Sequence, residues 1–389
     1  MDKLKDIVLD QNSVISLHSQ LHSQLRQLIL SGRWQKGSLI PSESQLTTYL
    51  KVSRSTVRLA LQKAEIEGLL ERIAGRGTFV NYLPKAHENR LIAFITYGFD
   101  AEFHMLMLKG AEQAVKAHGY QLILSNLQTQ EEELDTLQRL TSEYVAGVLL
   151  RPNTDASRAD SQNSSRYRQI RLPMVLMDRQ IHGLDCDFVT SDNYGGTQEM
   201  MHHLVQLGHE QIVFLTHHEM ELLPVKERYR AYCDVMREEG LTPLEPWNVS
   251  QPGQEILASD VFRMSMNANS LELQQIKTYL LNAQPRPTAI FALNDYLAVI
   301  TMLALKQLDL KVPGDISLAG FDDVDLAAHV EIPLTTVAQD FFEIGKRSAQ
   351  LLLQRLNGDI GEVHCEFIPT ELRVRSSTSV PMPAQLERG

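Results

Sequence analysis

Two groups of side chains in this chain could do chemistry, and they differ in kind. Ser53, Arg54, Ser55, Thr56 and Arg58 crowd into one short stretch, and Gly75, Arg76, Gly77 and Thr78 follow further along. Guanidinium and hydroxyl groups at that density suit a polyanion. Arg pairs bidentately with a guanine edge, and short hydroxyls reach phosphate or base. The second group is dispersed: Asp178 closes PMVLMD, Asn294 closes TAIFALN, and Asp322 follows SLAGF. Carboxylates accept from hydroxyls and an amide does both, so three such groups brought together would suit a polyol or sugar. Taken singly, each serves equally well as a turn former or helix N-cap. That plainer account explains the three together less well.

The first group needs two helices to hold it. Ser42 precedes Leu46, Tyr49 and Leu50 with Gln45 three residues on, the spacing of a capping box. Lys51 and Val52 leave a short connection before Ser53, a second N-cap. Val57, Ala60, Leu61 and Ala64 then fall on one helical face, with Arg54, Ser55 and Arg58 on or near the other. A helix entering the major groove presents its N-terminal residues to base edges. An ordinary helical hairpin with a solvated face would account for the helices alone. Directly after them, however, strand-like Leu69–Arg72 and Thr78–Val80 flank Ala74-Gly75-Arg76-Gly77. That reads as a hairpin with Arg76 at its tip, a wing able to touch phosphates or enter the minor groove.

Residues 17 to 80 resemble the GntR-type winged-helix repressors. The resemblance rests on Pro41-Ser42-Glu43 with Leu46, on Val52-Ser53-Arg54 with Thr56-Val57-Arg58 and Ala60-Leu61, and on Gly75 to Val80. Leu17, Leu21, Leu25, Leu28 and Ile29 fit that family's first helix, ended by Gly32. Ser44 stands where many members carry Arg, so the operator is expected to differ. The resemblance implies double-stranded operator DNA as partner. Ser42, Ser53, Arg54, Ser55, Thr56, Arg58, Gly75, Arg76, Gly77 and Thr78 are the expected DNA-binding positions.

Charge is partitioned accordingly. Residues 1–90 carry 13 Lys and Arg against 8 Asp and Glu, whereas the remainder carries 24 against 40. A basic segment on an acidic body is expected if only the segment meets phosphates. The whole chain of 389 residues has a net charge of −11, 43% hydrophobic and 22% charged residues, which fits a globular protein of two or three domains. No apolar run reaches the roughly 18–20 residues of a membrane span, and MDKLKDIVLDQN lacks a signal-peptide apolar region. Cys186, Cys233 and Cys365 are odd in number and scattered, which suggests no disulfide framework or zinc site and fits a reducing cytoplasm.

Segment 81–90, NYLPKAHENR, reads as a linker. We place the winged helix-turn-helix at 13–81, the linker at 82–90 and an effector domain at 91–380. Strands are expected at 91–96, 121–125, 147–151, 174–178, 188–191, 211–216, 288–294 and 317–322, with helical patterns such as 104–118, 131–144, 197–207, 271–281 and 296–308 between most of them. Continuous apolar strands alternating with amphipathic helices indicate parallel sheets covered on both faces. The length points to two doubly wound α/β subdomains, lobe 1 at about 91–191 and 339–367 and lobe 2 at about 192–338 and 368–380. In such sheets ligands bind beyond the carboxyl ends of the strands, where Asp178, Asn294 and Asp322 sit.

Residues 91 to about 378 resemble the effector domain of the lactose- and galactose-repressor family, of periplasmic-binding-protein-like type I fold. The matching stretches are VLMDR (175–179), FVTSDNYGGTQEMMHHLVQLGHEQIVFLT (188–216), AIFALNDYLA (289–298), VPGDISLAGFDDVDLA (312–327) and LTTVAQDFFEIGKRSAQLLL (334–353). The family's ligand-contacting positions fall on Asp178, Asn294 and Asp322. Arg228 matches an R-x-x-G-aromatic segment in which Ala231 replaces glycine. Gln339 sits where the family's chain crosses between lobes, and Tyr97 and Phe103 in the region lining the first lobe. A GntR-type domain on such a sensor resembles the arabinose-repressor arrangement, which implies a pentose or other sugar.

The resemblance implies a homodimer, or a tetramer of two dimers, on a near-palindromic operator, and a repressor released by its sugar. Corepression and activation stay open. A periplasmic solute-binding protein would share the body but has no use for the wing, and no nucleophile-elbow, phosphate-loop or metal motif supports an enzyme. No cofactor beyond the small effector and no metal is expected. His202, His203, His209, His217 and His218 form no closed ligand set, and Gly195-Gly196 lacks a dinucleotide fingerprint.

Overall fold

The computed structural model describes residues 3–10, 16–30, 33–82, 90–97, 102–127, 129–142, 145–152, 161–170, 172–217, 220, 222–249, 270–359 and 361–382. Most of the linker placed at 82–90 lies outside them. Two packed units result, Met1–Asn89 and Arg90–Gly389.

The first unit holds α1 (Leu17–Leu30), α2 (Glu43–Leu50), α3 (Arg54–Ile66), β1 (Leu70–Ile73) and β2 (Gly77–Val80). Leu21, Leu25 and Ile29 recur at helical spacing on α1 and are completely buried against Val57, Ala60 and Ala64 of α3 and against Trp34. Each such side chain contributes about 1.5–3 kcal/mol of burial. At the head of α2 the Ser42 hydroxyl accepts from the Gln45 amide at 3.3 Å, and the Gln45 side chain accepts from the Ser42 amide at 2.8 Å. The expected capping box is therefore formed. Lys51, with φ 53°, turns the chain from α2 into Ser53, whose hydroxyl accepts from the Thr56 amide at 3.1 Å. The hairpin pairs Leu70 with Val80 and Ile73 with Gly77. Gly77 has φ 113°, and a Cβ there would lie 2.7 Å from Leu39, which bridges Phe79. Residues 3–10 also pack here. Ile7 is buried, and Trp34 Nε1 donates to Asp6 at 3.1 Å. The packed unit thus reaches further toward the N-terminus than the span 13–81, because Ile7 completes its core.

The second unit contains two six-stranded sheets. The first is ordered β13-β7-β6-β5-β3-β4, from Cys365–Ile368, Asp187–Ser191, Met174–Met177, Val145–Leu150, Leu91–Tyr97 and Gln121–Leu127, and every neighbouring pair is parallel. The second is ordered β14-β12-β11-β10-β8-β9, from Glu371–Arg373, Thr335–Ala338, Ser317–Asp322, Ala289–Ala292, Ile212–Thr216 and Trp247–Asn248, with only the β12–β14 pair antiparallel. Sheets and helices form the two α/β lobes that the alternating pattern predicts. The chain passes between lobes after β7, after β12 and after β13.

Helices complete the layers: α4 (Glu102–Ala117), α5 (Gln130–Ser142), α6 (Ser161–Arg168), α7 (Asn193–Gln206), α8 (Leu223–Glu238), α9 (Leu271–Asn282), α10 (Asp295–Gln307), α11 (Asp325–His329) and α12 (Phe341–Leu356). In the first lobe α4 and α12 cross in close contact. A Cβ on Gly110 would fall 1.9 Å from the Phe342 carbonyl oxygen, and one on Gly345 1.9 Å from that of Met107. Only glycine lets two helix backbones approach so nearly, and the crossing carries Phe103 and Phe341 to the same end of the sheet.

Candidate functional site

At the carboxyl ends of the two sheets lies a cavity of ≈ 80 Å³, several times the roughly 10–15 Å³ that one water requires. The first lobe supplies Phe103 from α4, Arg151 after β5, Asp178 and Arg179 after β6, and Phe341 at the start of α12. The second supplies His217 after β8, Arg228 on α8, Asn294 after β10 and Asp322 at the end of β11, with Gln339 on the crossing after β12. Six of the seven positions proposed from sequence, Phe103, Asp178, Arg228, Asn294, Asp322 and Gln339, therefore line one cavity. Tyr97 ends β3, and its side chain lies outside what is described.

The backbone at the two aspartates is unusual. Asp178 has φ 63° and Asp322 φ 113°, conformations that cost a non-glycine residue on the order of 1–3 kcal/mol. The Asp178 amide donates to the Val189 carbonyl at 2.8 Å, and Asp322 stands opposite Ala338 in the β11–β12 register. Both side chains line the cavity.

Charges in the cavity are buried and paired. Arg151 Nε donates to Asp178 Oδ2 at 2.9 Å, and its guanidinium carbon lies 5.1 Å from the Phe103 ring centre. Arg228 is held on three sides. Its Nε donates to Asn193 Oδ1 at 2.8 Å, its Nη1 to the Leu293 carbonyl at 2.6 Å, and its guanidinium stacks on Phe321 at 3.6 Å. That leaves Nη2 for Asp322 Oδ1 at 3.5 Å, an oxygen that also accepts from Gln339 Nε2 at 2.6 Å. Burial pushes the Asp322 carboxyl up to about 6, opposed by Arg228 and the Gln339 hydrogen bond. Behind it, Asp295 is fully buried, accepts from the Val324 amide at 3.0 Å and the Thr336 hydroxyl at 2.6 Å, and is pushed well above the carboxylate range by burial and then by Asp322. Asn294 does two jobs at once. Its Oδ1 caps α10 through the Leu297 amide at 2.9 Å while the residue lines the cavity.

Sequence reasoning missed Arg151, Arg179 and His217 as wall residues. Arg151 ended an expected strand just as Asp178 did, so the rule that found the aspartates applies to it equally. His217 stands in a run of histidines that suggests a metal ligand and not a wall residue. Among the described residues no group of three or more His, Cys, Asp or Glu could hold a metal ion. The arrangement can accept hydroxyl protons at Asp322 and Gln339 and offer guanidinium donors from both walls.

In the first unit the expected DNA-facing side chains Ser42, Ser53, Arg54, Ser55, Arg58 and Arg76 are exposed, as are Gly75 and Gly77, with Thr56 and Thr78 half-buried. The Ser53 hydroxyl lies 2.7 Å from both Ser55 Oγ and Thr56 Oγ1, so one hydroxyl cluster caps α3 and faces solvent. Arg76 leans over Phe79 at 5.9 Å. A contact that no motif announced, Arg72 Nη2 to Glu43 Oε1 at 2.8 Å, ties the base of the hairpin to α2 and orients the wing toward the helices.

The model of bacterial regulatory proteins of the gntR family matches residues 17–80, and that of the periplasmic binding protein-like domain matches residues 201–378. The chain is 28% identical over 372 residues to the arabinose metabolism transcriptional repressor of Geobacillus stearothermophilus, covering 92% of this chain and 96% of that one. It is likewise 28% identical over 341 residues to the HTH-type transcriptional repressor CytR of Escherichia coli strain K12, covering 84% and 93%. Among solved structures it is similar to the lac repressor dimer bound to operator and the anti-inducer ONPF, at 22% identity and TM-score 0.62, over 77% of this chain and 100% of that chain. No helix among the described residues is long and apolar enough to cross a membrane.

Proposed function

We propose that this chain, which joins a GntR-family DNA-binding domain to a periplasmic binding protein-like domain, is a cytoplasmic repressor of carbohydrate-use genes released from its operator by a small polyhydroxylated effector. The observation that carries the reading is the cavity. Six residues from widely separated segments meet there, inside a chain whose other unit displays a DNA-facing helix and wing. The kinship with an arabinose metabolism repressor supports a sugar as the effector class.

The cavity acts as a sensor and not as a catalytic centre. Its carboxylates are already engaged by guanidiniums, and the relatives are regulators. No cofactor beyond the effector takes part. Asp322, Asn294 and Gln339 receive hydroxyls from one wall while Asp178 and Phe103 meet the ligand from the other. A ligand touching both lobes favours whichever arrangement brings the walls together. The chain acts as a homodimer, so this change alters how two α3 helices address a near-palindromic operator. Release can be no larger than the effector's discrimination between the two arrangements.

Titrating the protein onto promoter fragments by gel mobility, with and without L-arabinose, D-ribose and related sugars, tests the proposal. Weaker binding with one sugar is expected. Tighter binding with every sugar would replace release by corepression. No binding to any fragment would remove the regulator reading.

A further inference from the structure

Residues 3–10 precede the stretch 17–80 that matches the gntR family, yet they are built into the same packed unit. Most of the segment serves the fold. Ile7 is buried in one core with Leu21 and Leu25. Two glutamines of α1 then hold the backbone beyond it. The Gln20 side chain accepts from the Asp10 amide at 3.0 Å and donates to the Asp10 carbonyl at 2.9 Å, and Gln24 grips Val8 in the same two-way fashion.

Lys3 opens a single 3₁₀ turn, Lys3–Asp6, and reaches elsewhere. Its Nζ donates to Ser38 Oγ and to the Leu39 carbonyl, both at 2.8 Å, and lies 5.2 Å from the centre of the Trp34 ring. Residues 38–40 run alongside the wing. The Val80 amide donates to the Ser38 carbonyl and the Ile40 amide to the Thr78 carbonyl, each at 3.0 Å, while Leu39 bridges Phe79 between them. In such an antiparallel pairing the intervening carbonyl points away from the partner strand. Leu39 thus offers its oxygen on the open edge, where Lys3 takes it. Leu39 also packs against Gly77, where a Cβ would come within 2.7 Å of it. Lys3 therefore fixes the backbone that supports the wing turn, and that turn carries Arg76, which leans over Phe79.

Resting on the reading that the wing meets operator DNA, we propose that Lys3 is a positioning residue for that contact. Its ammonium clasps Leu39 beside β2 and so holds Arg76 where it reaches the duplex. Two of its three donors are spent on Ser38 and Leu39, and its charge sits beside Trp34. Lys3 acts through the wing and not by touching phosphate itself.

Full-length protein is titrated by gel mobility onto the promoter fragment that wild type binds most tightly, with the melting point of each variant recorded alongside. Lys3→Met should weaken binding about fivefold, while Lys3→Arg, which can still donate twice, keeps most of it. Ser38→Ala removes one anchor and should fall between wild type and Lys3→Met. Arg76→Ala should weaken binding about tenfold. In that background Lys3→Met should cost less than about twofold more, because a wing without its tip contact has nothing left to position. Losses that multiply, to about fiftyfold in the double variant, would overturn the inference and give Lys3 a DNA contact of its own. Unchanged binding by Lys3→Met beside a weakened Arg76→Ala would overturn it too and leave the wing reading standing. Should Lys3→Met prove poorly folded, the same cycle with Ser38→Ala decides on the same terms. If Arg76→Ala leaves binding unchanged, the wing reading falls and the role of Lys3 with it. If wild type binds no fragment, the repressor reading itself fails.

Discussion

The α3 surface and the interlobe cavity both gather arginines and hydroxyl-bonding groups, yet they solve opposite problems. On α3, Arg54 and Arg58 stand in solvent, where a charge costs nothing to maintain and waits for phosphate. In the cavity, Arg228 and Asp322 are withdrawn from water, burial moves both toward their neutral forms, and each is held by specific partners. A surface for a large polyanion can be bare. A pocket for a small molecule must be wired before the ligand arrives, so its residues carry the fold as well as the function.

The largest expected effect comes from cutting that wiring. Arg228→Ala leaves Asp322, Asn193 and the Leu293 carbonyl without their shared donor, and breaking a buried pair in this way costs about 3–5 kcal/mol. Denaturant titration measures the loss, and a change below about 1 kcal/mol would show that the cavity is as tolerant as the surface.

Next in size is a pH effect confined to the cavity. The folded-state pKa of Asp322, about 6, lies above its ordinary value of 3.8, so folding favours the protonated carboxyl. Its stabilising contribution is complete below the ordinary value and disappears as pH rises through about 6, a change on the order of 2–3 kcal/mol. Asp322→Asn should flatten the stability curve between pH 4 and 6. A residual slope of the same sign belongs to Asp295, which is shifted the same way. An unchanged curve in the Asn variant would assign the whole slope elsewhere.

The smallest effect on stability belongs to the surface. Arg58→Ala should change the folding free energy by no more than about 0.5 kcal/mol while weakening operator binding by about 1–3 kcal/mol, read from melting and mobility-shift curves on one preparation. A stability loss matching the binding loss would erase the contrast between the two regions.

The two regions also differed in how much of them the sequence disclosed. Capping at Ser42 and Ser53, the apolar face Val57, Ala60, Leu61 and Ala64, and the hairpin were all local patterns, and each appears as expected. In the second unit the long apolar strands were equally plain. The short strands Thr335–Ala338, Cys365–Ile368 and Glu371–Arg373, the last two at sheet edges, are not legible in the sequence, since three or four residues carry too little periodicity. Asp178, Asn294 and Asp322 were found because each ends a strand. Arg151 ends one too, but a basic residue after an apolar run looks like a solvated stop until the partner carboxylate, 27 residues away, is seen beside it. Ile7 escaped notice because its partners in the core, among them Trp34, are distant in sequence.

The polypeptide changes lobes three times, after Ser191, after Ala338 and after Ile368. Neither lobe is therefore a continuous piece of chain, and neither can be excised by choosing two end points. A protease that clips one of these connections yields two fragments on a denaturing gel, yet the clipped protein still travels as a single particle, held by the other two. The same threading means that any bend at one connection must be shared by its neighbours, which confines relative movement of the lobes to the common axis that all three can follow.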